Sequence, residues 1–322
     1  MVPQDSIRSL HTLPQDISQK LPPDAPIHCL LAADLALDES CTSWSALLPT
    51  QSDFEASIPF MWPAELQAWL PSPALNIVVK QKEKFQQHWV MYHDCFPGKL
   101  WGKFLHAWFL VNTRTFYNET PETMRYPWED RLALIPVADL FNHAETGCHV
   151  EYTPEYYSVT ADRAYQAGDE MYISYGHHSN DFLLAEYGFI LSENRWDRVS
   201  LDQVILPKLS KEAMGELERR ELLGDYMISD PGGPCDRTRA ALETLISYEK
   251  EELRRTLDQG KTDQSVGTIS VEAKLKEISQ ELLMTAKESL DTVQRMQRGS
   301  AFQRSTLAMR WAQIIKVLEK FA

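Results

Sequence analysis

Asp139-Leu-Phe-Asn-His-Ala144, then Ile173-Ser-Tyr-Gly176, then Ser179-Asn180 running on to Glu186-Tyr-Gly-Phe189 are the stretches whose reading decides the fold of this chain. Asn142 can both give and take hydrogen bonds, and so can the backbone beside it. Tyr175 and Tyr187 each offer an apolar ring wall and a hydroxyl able to orient a polar group. Ser179 or Asn180 can cap a short helix, with Asp181 favourable in its first turn and Gly188 suited to its end. Taken one at a time, these residues read more simply as a turn asparagine before a surface histidine, a strand-end aspartate and a core tyrosine at a helix end, with Tyr175 as readily a core strand residue.

On either side of these stretches the pattern divides the chain. Residues 1–26 are polar and proline-bearing and predict an extended lead-in. Ile27 to Leu37 has helical apolar spacing. Ala64 to Leu70 predicts a short helix between Pro63 and Pro71, and Asn76 to about Cys95 a longer one. Lys103 to Thr113, with Phe104, Trp108, Phe109, Leu110 and Val111, predicts a buried helix. Strands are predicted over His149 to Tyr152 and Tyr156 to Ala161, flanking a Thr153-Pro154 turn, and over Met171 to Tyr175. Beyond Arg195 the chain reads as helical almost throughout. One stripe is Leu242, Leu245, Ile246, Leu253 and Leu257. A second is Val271, Leu275, Ile278 and Leu282, and a third is Leu307, Trp311, Ile314, Leu318 and Phe321. Asp230 to Pro234 and Gly260 to Gly267 read as breaks between helices.

Composition narrows the function classes. The 322 residues are 43% hydrophobic and 24% charged, which suits a folded protein with a sizeable core. A net charge of −14 disfavours a broad nucleic-acid-binding face, because phosphate contact needs clustered Lys and Arg. No stretch approaches the roughly 18 apolar residues of a membrane span. The five cysteines, at 29, 41, 95, 148 and 235, form no C-x-x-C pair and read as reduced thiols. His143, His149, His177 and His178 do not make a metal site. Adjacent His177 and His178 cannot easily face one ion, and no Cys or carboxylate cluster completes a tetrahedral set.

In their order and spacing the opening segments resemble the SET-domain protein methyltransferases, in the branch typified by the Rubisco large-subunit lysine methyltransferase. The resemblance implies an α+β fold. A small β-rich SET domain would span 1–195, with a helical insert at about 27–125. An α-helical C-terminal domain that receives the protein substrate would span 196–322. The implied reaction is methyl transfer from S-adenosylmethionine to a lysine side chain of a protein. Tyr187 and Tyr175 are the implied catalytic residues beside the methyl-transfer channel. Asn142, His143, Arg114, Phe116, Asp139 and Tyr187 are the implied cofactor-binding residues, with Asn142 toward adenine and Arg114 toward the methionine carboxylate. The chemistry is intelligible. In-line attack on the methyl depends on placement, and an apolar channel helps a lysine lose its proton by desolvation.

The implied partner is a protein substrate, with members of the branch acting on Rubisco, ribosomal and chromatin-related proteins and, in one case, an actin histidine. A monomer in cytoplasm or nucleus is the matching expectation. The front of the chain departs from the pattern. The family has a Gly-x-Gly turn before a strand ending in a segment like Val2-Pro3-x-Asp5-Ser6, and Met1 falls almost at that strand's end. Two readings follow: a lysine methyltransferase, or a SET-like scaffold (or truncated enzyme) that grips a protein partner without binding cofactor.

Overall fold

The computed structural model describes residues 7–40, 42–152, 157–258 and 270–322. Within them the chain forms two compact units. The first gathers Met1–Trp62, Asn76–His178 and Phe182–Phe189; the second gathers Pro63–Leu75, Ser179–Asp181 and Ile190–Ala322. Six helices come first: α1 (Gln15–Lys20), α2 (Ile27–Leu37), α3 (Gln51–Ser57), α4 (Ala64–Gln67), α5 (Ser72–Cys95) and α6 (Trp101–Arg114). Strands β1 (Thr115–Tyr117), β2 (Leu132–Leu134), β3 (Asn142–Tyr152), β4 (Tyr157–Thr160) and β5 (Tyr172–Ile173) follow, and then α7 (Asn180–Tyr187).

In the first unit α2 is apolar on every side, and Ile27 to Asp34 are all buried. Such a helix cannot leave its first amides to water, and buried Asp130 takes them, from Ile27 at 2.6 Å and His28 at 3.0 Å. Helix α6 packs on α2 through Phe104, Trp108 and Phe109, none of which reaches solvent. The polar atoms of this aromatic core satisfy one another. His28 stacks on Trp108 with ring centroids 4.5 Å apart. The Trp108 indole N–H donates to His88 Nδ1 at 3.1 Å.

That last bond requires a neutral His88 and sets a pH dependence. Burial, with a smaller push from Lys84, lowers the ring to a pKa of about 3. In the unfolded chain it protonates near the ordinary value of 6.5. The unfolded state therefore binds more protons throughout that window, so stability falls as pH falls from 6.5 toward 3. The contribution of this ring is about 1.4 kcal/mol per pH unit. Melting curves between pH 7 and 5 should show the decline begin; an unchanged midpoint would contradict a buried neutral His88.

The strands form two small sheets. Strands β1 and β2 pair antiparallel, with Phe116 opposite Ala133. Strand β3 lies between β4, antiparallel, and β5, parallel, and its register against β5 shifts between His143 and Cys148. Helix α7 ends at Tyr187, and Gly188 follows at φ +79° with its N–H on the Leu184 carbonyl. A Cβ on Gly188 would lie 2.8 Å from the Ser57 backbone carbon and oxygen. Only glycine suits both conditions. Gly188→Ala should lower stability by about 1–2 kcal/mol from the backbone conformation alone, with the Ser57 clash added. A melting midpoint equal to wild type would refute it.

The second unit holds α4 and the C-terminal elements: β6 (Val199–Ser200), α8 (Asp202–Ile205), α9 (Lys211–Arg219), β7 (Met227–Ser229), β8 (Gly233–Pro234), α10 (Asp236–Asp258), α11 (Val271–Arg295) and α12 (Ala301–Leu318). Ser210, Ser270 and Ser300 cap α9, α11 and α12 by accepting an amide three residues on. Helices α11 and α12 pack through Leu275, Ile278, Leu282, Leu307, Ile314 and Leu318, all buried. Arg310 is fully buried. Its guanidinium donates to Asp181 at 2.7 and 3.0 Å and to Asp197 at 2.6 Å.

Several sequence expectations need correcting. The lead-in is not wholly extended, since α1 forms within it. The stretch beyond Arg195 is less helical than predicted, because β6, β7 and β8 build an antiparallel sheet there. The strand expected over Met171 to Tyr175 is limited to Tyr172 and Ile173. Helices α5 and α6 begin earlier than predicted, at Ser72 and Trp101. The Val2 to Ser6 segment, Cys41, the Thr153-Pro154 turn, Tyr156, the Gly260 to Gly267 break and the Leu253 and Leu257 side chains lie outside the described residues. Among the described residues, no helix is long and apolar enough to cross a membrane.

Candidate active site

The first unit contains a cavity of about 170 Å³ lined by Arg114, Phe116, Asp139, Tyr175 and Tyr187, with Thr113, Phe141, Tyr157 and Ser174 among its other walls. Pockets that take a whole drug-sized ligand run from about 300 to 1,000 Å³. This one suits an end of a cofactor, or a side chain.

Tyr187 is the last residue of α7. Its placement follows from a polar clamp on the neighbouring residue. Glu186 accepts from Asn112 Nδ2 at 2.7 Å and Gln81 Nε2 at 2.8 Å, and Gln81 also donates to the Ala185 carbonyl. Helices α5 and α6 thereby hold the end of α7. The Tyr187 hydroxyl has no hydrogen-bond partner among the described residues. Burial first, then the charges of Glu186 and Tyr175, pushes its pKa well above the ordinary tyrosine value. It is a neutral phenol whose oxygen no described residue engages.

Tyr175 lies beside it, with ring centroids 5.1 Å apart. Its hydroxyl donates to the Phe141 carbonyl at 2.7 Å, and its backbone N–H donates to His143 Nδ1 at 3.0 Å. His143 and Phe189 complete the aromatic cluster, His143 lying 5.1 Å from Tyr175 and 6.0 Å from Phe189. Burial lowers the pKa of His143 and keeps it neutral, which lets Nδ1 accept.

Arg114 ends α6. One of its Nη atoms donates to the Asp139 carbonyl, while its Nε is buried with no partner among the described residues. Burial lowers the guanidinium pKa, and the same effect raises the carboxyl pKa of Asp139, against the pull each exerts on the other. A buried unpartnered cationic donor at a cavity wall fits a ligand carboxylate, which would supply a charge-assisted bond. Phe116 lines the same cavity and packs edge-on against Tyr157, with centroids 5.1 Å apart.

Six of the seven residues expected at the site are thus in one neighbourhood: Tyr187, Tyr175, Arg114, Phe116 and Asp139 on the cavity, and His143 behind Tyr175. Asn142 is placed differently. It opens β3 with an exposed side chain that donates to Glu170 at 2.6 Å, and it does not line the cavity. The sequence placed Trp44 only in the helical insert, not at the site, yet its indole N–H reaches the Asp139 carboxylate at 2.9 and 3.1 Å. Nor did it identify Gln81 and Asn112. No local signal marks any of the three, since each partner lies far along the chain. Among the described residues, no three His, Cys, Asp or Glu gather as metal ligands.

The chain is 32% identical over 215 residues to a ribosomal lysine N-methyltransferase, set11, of Schizosaccharomyces pombe, covering 63% of this chain and 54% of that protein. It is 26% identical over 180 residues to ribosomal lysine N-methyltransferase 2 of Saccharomyces cerevisiae, covering 50% of this chain and 37% of that protein. SET domain-containing protein 4 of Mus musculus is 29% identical over 227 residues, covering 64% and 49%. Two of the three are named as ribosomal lysine N-methyltransferases and the third for its SET domain. The likeness supports the SET family for this chain. No family model matches the chain. The chain spans about half the length, or less, of these curated relatives.

Proposed function

We propose that this chain is a protein-lysine N-methyltransferase that uses S-adenosylmethionine. The observation that carries the reading is that one small cavity is lined by both Arg114, whose Nε has no partner among the described residues, and Tyr187, whose hydroxyl has none there either. Arg114 would hold the methionine carboxylate of the cofactor, and Phe116 would wall its apolar part. When bound, the cofactor supplies a methyl group on a sulfonium, which leaves as a thioether when an amine attacks. The chain's own residues do the rest. Tyr175, tied to Phe141 and His143, forms a fixed wall. Tyr187 accepts a hydrogen bond from the lysine amine and orients its lone pair. The apolar surroundings disfavour the ammonium form, so the amine enters neutral.

The second unit, we infer, docks the protein substrate. Two of the relatives are named for the ribosome, which makes a lysine of a ribosomal protein the first substrate to test. The −14 net charge suits a basic partner of that kind. Cytoplasm or nucleus is the matching location. Of the two readings of the sequence, the named relatives favour methyl transfer over a scaffold without activity.

Calorimetry of the full chain with S-adenosylmethionine, followed by incubation with purified ribosomal proteins and a labelled methyl donor, tests this. Binding and label on a lysine are expected. No heat at millimolar cofactor would leave only the scaffold reading. If Tyr187 acts as a neutral phenol, the rate should rise with pH as the lysine deprotonates and not fall near pH 10. A fall there would mean that the tyrosine titrates.

A further inference from the structure

Asp139 lines the cavity and is only 5% exposed, yet its two ends face different partners. Its carbonyl accepts from an Nη of Arg114. Both oxygens of its carboxylate instead accept from the indole N–H of Trp44, at 3.1 and 2.9 Å, and Trp44 does not line the cavity. Asp139 and Arg114 are near enough for each to feel the other's charge. A carboxylate and a guanidinium that come into contact ordinarily pair as a fork, yet among the described residues the Asp139 group that bonds Arg114 is its carbonyl. Here the carboxylate is diverted, and Arg114 Nε stays unpartnered.

The segment carrying Asp139 does not hold this arrangement unaided. It turns at Val137, whose φ of +76° is strained for a β-branched residue. Trp44 ties it from outside, and the Arg8 guanidinium, itself paired with Asp34 and Asp38, lies 5.6 Å over the indole ring.

We propose that Trp44 is a positioning residue, which engages the Asp139 carboxylate and so keeps an Arg114 N–H free for a ligand carboxylate. The proposal rests on the cofactor reading above and adds to it the group that keeps the anion site open. Without the indole, Asp139 would take Arg114 for itself.

The test is calorimetry of the full chain with S-adenosylhomocysteine and with its decarboxylated analogue, which keeps the amine and the nucleoside. Wild type should prefer the carboxylate-bearing ligand by about tenfold, the effect of one hydrogen bond to a charged group. Trp44→Phe should bring that ratio close to one, with little change for the analogue. The double variant Trp44→Phe/Asp139→Asn, which neutralises the competitor, should restore the preference; a merely structural role for the indole would not give that rescue. A Trp44→Phe protein that keeps the full preference overturns the proposal while leaving the methyltransferase reading intact. A wild type that binds neither ligand overturns the cofactor reading and this inference with it, whereas one that binds both equally overturns the hold of Arg114 on the carboxylate, and so this inference, while cofactor binding stands. Should Trp44→Phe not fold, Asp139→Asn alone decides. Its amide oxygen still accepts from the indole and its charge is gone, so the preference should persist or rise, and a lost preference overturns the proposal.

Discussion

Tyr187→Phe should cut methyl transfer by about 100-fold, the scale of loss when reacting groups are no longer held in line. Binding of S-adenosylhomocysteine should be unchanged, because the ring that walls the cavity remains. The physical reason is the state of the hydroxyl. It has no partner among the described residues, and burial keeps it protonated. The clamp of Gln81 and Asn112 on Glu186 holds the helix end that carries it. Single-turnover measurement with saturating cofactor separates the chemical step from binding. A variant as fast as wild type would remove Tyr187 from the mechanism.

Arg310→Leu should destabilise the protein by about 3–5 kcal/mol, because it leaves the carboxylates of Asp181 and Asp197 buried without their counter-charge. Both acids are nearly or largely buried beside a guanidinium with no exposed atom. In a chain of this size the loss corresponds to a midpoint shift of roughly 4–7 °C. Replacing the whole group with apolar residues, as Arg310→Met/Asp181→Leu/Asp197→Leu, should recover much of that loss, since burying the charges was itself costly. Melting curves of the two variants read the outcome. A single variant as stable as wild type would show that the ion pairs contribute nothing.

Much of this architecture was legible because it is periodic or punctuated. Ile27 to Leu37 is a helix with the predicted bounds, and the Leu307, Trp311, Ile314 and Leu318 stripe is buried as predicted. Gly188 marked the end of α7 because only glycine takes a positive φ there without strain. The short strands β6, β7 and β8 escaped notice. At two or three residues each they carry no alternation to read, and a helical neighbourhood hid them.

By itself the amino-acid order determined an acidic, largely helical chain, and the resemblance carried by its short motifs implied Tyr175, Tyr187, Arg114, Phe116 and Asp139 as candidates for one site. Those motifs could be read because residue type and spacing are local properties. Only the tertiary structure decided which atoms are engaged and which are free. Trp44 meets Asp139 across 95 residues of chain, and Asn142 turns to Glu170 instead of the cavity. Both outcomes depend on how separate elements are packed together. No pattern along a single segment encodes that.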